Sequence, residues 1–292
     1  MKGNVIVGQS GGPTAAINSS LAGVYRTAKD RGANKVYGML FGIQGLLQER
    51  YIDLSEYITN DLDTELLKRT PAAFLGSCRY KLPEIHENKD VYEKIFSILE
   101  KLDIEAFIYI GGNDSMDTIK KLSDYAIVTG YRTRFIGCPK TIDNDLALTD
   151  HTPGYGSAAK YIGTSVKEII RDSFCLEYGK GLVSIVEIMG RNAGWLTGAA
   201  ALSKGEDCEG PDLIYLPELP FDLQLFGEKI KQLLQEKTSI VVAVSEGIRT
   251  EDGTYVCELG NSIDFVDAFG HKQLSGTCLL YTSPSPRDRQ KS

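Results

Sequence analysis

Short apolar runs rich in β-branched residues alternate along this chain with longer amphipathic stretches, and several of the runs break off at glycine. The runs cover residues 4–7, 35–39, 106–110, 134–138, 183–188, 212–216 and 239–244, and helical patterns occupy 15–29, 116–123, 157–172 and 223–236. A strand that is continuously apolar is buried on both faces, and a helical crossover before the next strand makes neighbouring strands parallel. The expected class is therefore α/β. The glycine-bearing segments 8–12, 111–112 and 190–194 fall where strands end, the edge of an open α/β sheet at which ligands bind.

At 292 residues the chain has room for two such units. The expected division is a first domain over 1–155, a second over 156–260, and residues 261–277 returning to the first. Residues 278–292, CLLYTSPSPRDRQKS, lose all periodicity and read as a disordered tail. Cys278 to Asp288 also looks like the translation of a transposase sequencing adapter, so the tail is expected to be non-native and the native sequence to continue beyond Thr277.

Bulk properties exclude several classes. A net charge of -7 argues against a general nucleic-acid binder, which needs a basic face. Six scattered cysteines with no CxxC pair, and three histidines, do not make a zinc pattern and are expected to be reduced thiols. No signal-peptide pattern and no apolar run near the ~18 residues of a membrane span is present, so a cytoplasmic protein without a membrane partner is expected.

Five motifs carry chemistry. Val7-Gly8-Gln9-Ser10-Gly11-Gly12-Pro13 joins a strand to a helix, where glycines let backbone amides approach an anion; a tight turn with no ligand has the same pattern. Tyr109-Ile110-Gly111-Gly112-Asn113-Asp114-Ser115 repeats the arrangement, with helix capping as its other meaning. In Pro139-Lys140-Thr141-Ile142-Asp143-Asn144-Asp145, a stretch still extended after its strand would point Thr141, Asp143 and Asp145 the same way. Carboxylates that close need a cation or a proton, which phosphoryl transfer to an alcohol supplies. Met189-Gly190-Arg191 and Ser245-Glu246-Gly247 close two further strands, with a guanidinium fork for phosphate and a carboxylate for sugar hydroxyls. Arg79, in Leu75-Gly76-Ser77-Cys78-Arg79, adds a cation beside a glycine turn.

Taken in order from about Asn4 to Thr277, these segments resemble the phosphofructokinase family. The resemblance implies two Rossmann-like parallel-sheet α/β domains with the active site in the cleft between them, Mg²⁺ as cofactor and a homo-oligomer. It implies that Asp143 is the base for the sugar 1-hydroxyl, that Arg79 stabilises charge on the transferring phosphoryl group, and that Thr141 belongs to the catalytic set and also contacts the acceptor. Gly11 and Gly112 would line the donor, and Asp145 would hold Mg²⁺. Asn113 stands where the family has an aspartate that assists the metal. Met189, Gly190, Arg191 and Glu246 would face fructose 6-phosphate. His271 would do the same, because Leu182 and Leu274 replace the arginines that bind the 6-phosphate in ATP-using bacterial enzymes.

Where ATP-using relatives have a glycine, Asp114 would fill and repel the space of the nucleotide's α-phosphate, and Lys140 would offset donor charge. The pattern looks like the pyrophosphate-dependent branch. An ATP-dependent enzyme of the same fold, and a noncatalytic sugar-phosphate sensor lacking turnover, are the competing expectations.

Overall fold

The computed structural model describes residues 3–12, 14–176 and 181–259. The expected return of residues 261–277 to the first domain, with His271 and Leu274, and the expected tail lie outside the described residues. Two compact units divide between Thr141 and Ile142, ahead of the expected boundary at 155. The reason is local: Ile142 packs with Tyr155, Ala158 and Ile162 against the buried Val166, Ile188 and Leu196 of the second unit. The segment 142–154 therefore goes with the helix that follows it.

In the first unit β1 (Asn4–Gln9) leads through α1 (Ala15–Asp30) to β2 (Val36–Met39), α2 (Gly42–Leu46) and β3 (Tyr51–Asp53). Helices α3 (Asp61–Arg69) and α4 (Lys89–Lys101) precede β4 (Ile104–Gly111), α5 (Asn113–Thr129) and β5 (Arg134–Pro139). The strand order is β3-β2-β1-β4-β5, parallel except for β3, which runs antiparallel to β2. That edge strand departs from the all-parallel expectation. Alternation along the strands builds two cores: Val5, Val7, Ala106 and Ile110 pack with Ile17, Leu21 and Leu67, while Ile6, Phe107 and Tyr109 pack with Tyr92, Phe96 and Leu122. The chain leaves β1 toward β2 on one side, and β4 lies on the other. The carboxyl ends of β1 and β4 thus form a topological switch point, where a crevice opens for a ligand.

In the second unit α6 (Tyr155–Cys175) is followed by β6 (Leu182–Ile188), α7 (Trp195–Gly198), β7 (Leu213–Tyr215), α8 (Leu223–Glu236) and β8 (Ser239–Ser245). The sheet order is β6-β8-β7, all parallel. Central β8 sends Ile240, Val242 and Val244 toward Phe221 and the α8 residues Phe226 and Ile230, and Ala243 toward α6 and α7.

Candidate active site

In the first unit, three strand ends bring the predicted donor residues together. After β1, Gly11 takes φ +77, a left-handed conformation that glycine adopts without cost. A β-carbon on Gly11 would stand 3.5 Å from Lys140 Nζ and 3.9 Å from the Gly112 amide nitrogen. Lys140, directly after β5, is only 6% exposed; its backbone N–H donates to Gly111 O at 2.9 Å and its ammonium donates to Gly12 O. Gly112 caps α5, whose first residues are Asn113 and Asp114; Asn113 is exposed and Asp114 half-buried. The helix amino terminus, the glycine backbone and a buried ammonium converge, which is an anion cradle by composition. Gly111 has no alternative, since a β-carbon there would lie 2.0 Å from Ser115 Oγ, and Ser115 Oγ is 2.9 Å from Ser10 Oγ in a buried pair joining the two loops.

Arg79 lies exposed at the end of a segment that touches this cradle. The Gly11 amide donates to Cys78 O at 3.2 Å and the Ser77 hydroxyl donates to Gly11 O. Beneath the loops, Tyr109 receives the Ile43 amide at 3.2 Å and lies 3.6 Å from Cys78 Sγ. Burial, and then the neighbouring thiol, push the Tyr109 phenol well above its ordinary pKa, so it stays a neutral structural group.

Thr141 ends the first unit and the carboxylates begin the second. The expected extended run does not form, because Asn144 turns left-handed at φ +58. Asparagine tolerates that region, and here its side chain closes the loop: Nδ2 donates to Asp150 O at 3.1 Å and Oδ1 accepts from Thr152 N at 2.8 Å. Asp143 and Asp145 flank this buried asparagine, and Oδ1 of each is buried.

The acceptor motifs lie side by side at the carboxyl ends of β6 and β8 and interlock. Gly190 adopts φ +145, and a β-carbon there would stand 2.5 Å from Ala193 O. Glu246 Oε1 accepts from the Gly190 amide at 3.2 Å, and Glu246 N donates to Ile188 O at 2.9 Å. Ser245, fully buried, donates to Gly190 O and accepts from Gly247 N at 3.2 Å. A β-carbon on Gly247 would fall 1.9 Å from Arg191 O. Met189 is 46% exposed at the rim and Arg191 is half-buried. Glu246, expected to accept from sugar hydroxyls, is thus also a strut for the loop that carries Arg191. Ser245, Asn144 and Gln9 lie inside the motifs but were given no role there, and Asn18 was not singled out; an ordinary polar residue does not show in the sequence which backbone groups it will hold.

The family model for phosphofructokinase matches residues 4–290, and the chain belongs to that family. It is 43% identical over 274 residues to pyrophosphate--fructose 6-phosphate 1-phosphotransferase of Xanthomonas campestris, covering 94% of this chain and 64% of the relative. It is 42% identical over 277 residues to the enzyme of that name from Halomonas elongata, with the same coverage. The crystal structure of a pyrophosphate-dependent phosphofructokinase from Nitrosospira multiformis is similar at a TM-score of 0.77 and 38% identity, covering 86% of this chain and 62% of that one. The chain therefore spans a little under two thirds of the length of these relatives. No helix among the described residues is long and apolar enough to cross a membrane.

Proposed function

We propose that this chain belongs to an enzyme that transfers a phosphoryl group from pyrophosphate to the 1-hydroxyl of fructose 6-phosphate, giving fructose 1,6-bisphosphate and phosphate. The observation that carries the donor reading is the buried Lys140 ammonium beside Gly11 and Gly112 at the switch point of the first sheet. A fixed cation among backbone amides suits a compact polyanion, and Asp114 in the first turn of α5 puts a carboxylate where a longer nucleotide would extend. The names of the similar enzymes support the same donor and acceptor.

The residues divide the work as follows. Asp143 removes the proton from the 1-hydroxyl as that oxygen attacks the terminal phosphorus. The bond from this phosphorus to the bridging oxygen breaks, and phosphate departs with the electron pair, held by Lys140 and the Gly112 amide, with Gly11 leaving the space it needs. Arg79 neutralises charge on the transferring group. Arg191 and Glu246, with Met189, Gly190 and Thr141, hold the sugar phosphate. The anhydride and its product have comparable bond energies, so the reaction runs both ways.

Mg²⁺ fits this donor set in a limited way. Among the described residues no cluster of three or more His, Cys, Asp or Glu could cage a metal, but Mg²⁺ commonly takes only one or two carboxylates, with water and substrate phosphates completing its shell. Asp145 supplies one such carboxylate, and Asn113 an amide oxygen. When bound, the ion would screen the donor's charge and polarise its phosphoryl oxygens. The reading includes a cytoplasmic setting, supported by five free thiols at Cys78, Cys138, Cys175, Cys208 and Cys257, and a homo-oligomer.

The test is a donor assay with fructose 6-phosphate at equal Mg²⁺. Turnover with pyrophosphate well above that with ATP is expected; preferential use of ATP overturns the donor assignment.

A further inference from the structure

We propose that Gln9 and Asn18 are positioning residues: together they lock the irregular segment that ends in Arg79 onto the donor loop. This rests on Arg79 serving the transfer proposed above, and it adds two residues that touch neither substrate.

Residues 70–88 contain no helix or strand, so the segment bearing Arg79 has no ladder to hold it. It also includes one costly backbone conformation, Ala72 at φ +66. Two wholly buried amide side chains take the place of a ladder. Gln9, the last residue of β1, and Asn18, in the first turns of α1, are both 0% exposed. Asn18 Nδ2 donates to Thr70 O at 2.9 Å and to Ala72 O at 2.8 Å, and its Oδ1 accepts from Phe74 N at 2.9 Å. Gln9 Oε1 accepts from Leu75 N at 2.9 Å. The two side chains are joined by Gln9 Nε2 to Asn18 Oδ1 at 2.9 Å, and Gln9 Nε2 also donates to Ile17 O at 3.1 Å.

Four of these bonds orient backbone groups of a segment that has no ladder, at Thr70, Ala72, Phe74 and Leu75. A buried polar network this well satisfied fixes geometry, and breaking it leaves several groups unpaired at once. Its direction along the chain is informative. Residues 70–75 are held by Asn18 and Gln9, and the next contacts are Ser77 and Cys78 with Gly11. Arg79 follows immediately. The backbone carrying the guanidinium is thereby indexed to the same strand, β1, whose end supplies Gly11. A core needing only to exclude water would use apolar residues at positions 9 and 18.

The experiment uses Asn18→Leu and Gln9→Met, which are close in shape and remove both the amide donors and the oxygens that accept from Phe74 N and Leu75 N. Hydrogen exchange at Phe74 and Leu75 should quicken by about tenfold or more, while β1 and β4 stay protected. In the phosphotransfer assay kcat should fall roughly ten- to hundredfold with the fructose 6-phosphate KM nearly unchanged, and in an Arg79→Ala background the same changes should cost little more. Equal losses in both backgrounds show that the amides do not act through Arg79 and overturn the proposal. Unaltered exchange at Phe74 and Leu75 overturns it regardless of activity. Should the unmodified enzyme use no phosphoryl donor, the proposed function fails, and the exchange result alone then decides whether the lock exists.

Discussion

The two units support their site loops by different means. In the first, the glycine loops grow from β1 and β4, central strands covered on both faces by separate apolar cores. In the second, β8 is buried but β6 is half-buried over most of its length, and α8 has no fully buried residue. There the loops keep their shape through side-chain hydrogen bonds from Ser245 and Glu246 to Gly190. A loop rooted in a deep core tolerates loss of one polar contact, whereas a loop held by two struts does not. The loop with the carboxylates is a third case, turned at Asn144 by that residue's side-chain hydrogen bonds.

The largest effect should come from that third loop. Asp143→Asn keeps the side chain's size and removes the base, so kcat should fall by about 10²- to 10⁴-fold, the usual contribution of a general base. Steady-state kinetics with both substrate KM values measured makes the check; near-normal turnover would remove Asp143 from the role.

A smaller effect is expected on the donor side. Asp114→Gly removes the half-buried carboxylate from the first turn of α5 without touching the Ser10–Ser115 pair. The ratio of kcat/KM for ATP to that for pyrophosphate should rise by roughly ten- to hundredfold, as one charge-phosphate interaction is worth ~1.5 to 3 kcal/mol. Adding Lys140→Gly widens the pocket but also cuts the tie to Gly12 O, so pyrophosphate use should fall further. An unchanged ratio in the single variant would mean that Asp114 does not select the donor.

Much of this architecture is legible in the sequence, for reasons that can be named. All seven expected strands form; β1, β4 and β8 are the plainest, because a strand buried on both faces is apolar almost throughout. Tyr51–Asp53 was not expected: it is three residues long, half-buried, and only Ile52 is aliphatic, so neither length nor alternation announces it. The glycines of the site are visible because close backbone approach leaves no other choice, as the 2.0 Å clash at Gly111 illustrates. The amides that hold the site are not visible. Gln9 and Asn18 carry the same letters as surface residues, and their partners lie 52 to 66 positions away; only the fold brings them together. The bend at Asn144 was missed for a different reason, since its anchors at Asp150 and Thr152 are close in sequence but lie in a loop without periodicity.

The smallest effect separates the two kinds of support directly, through one serine in each unit. Ser245→Ala deletes a fully buried hydroxyl that donates to Gly190 O and accepts from Gly247 N. Leaving those two groups without it should cost about 1 to 2 kcal/mol, at the low end for buried polar groups because they lie at an open strand end. The loss should appear as a several-fold rise in the fructose 6-phosphate KM, because the loosened element is the loop bearing Arg191. Ser115→Ala removes a hydroxyl of similar burial, but its partner Ser10 Oγ can rotate, and β1 and β4 remain fixed by their cores. Its effect should fall on the pyrophosphate KM alone and be smaller still. If Ser115→Ala instead moved the fructose 6-phosphate KM, or Ser245→Ala moved only that of pyrophosphate, the assignment of one substrate to each unit would be reversed, and the contrast between core-held and strut-held loops would no longer map onto donor and acceptor.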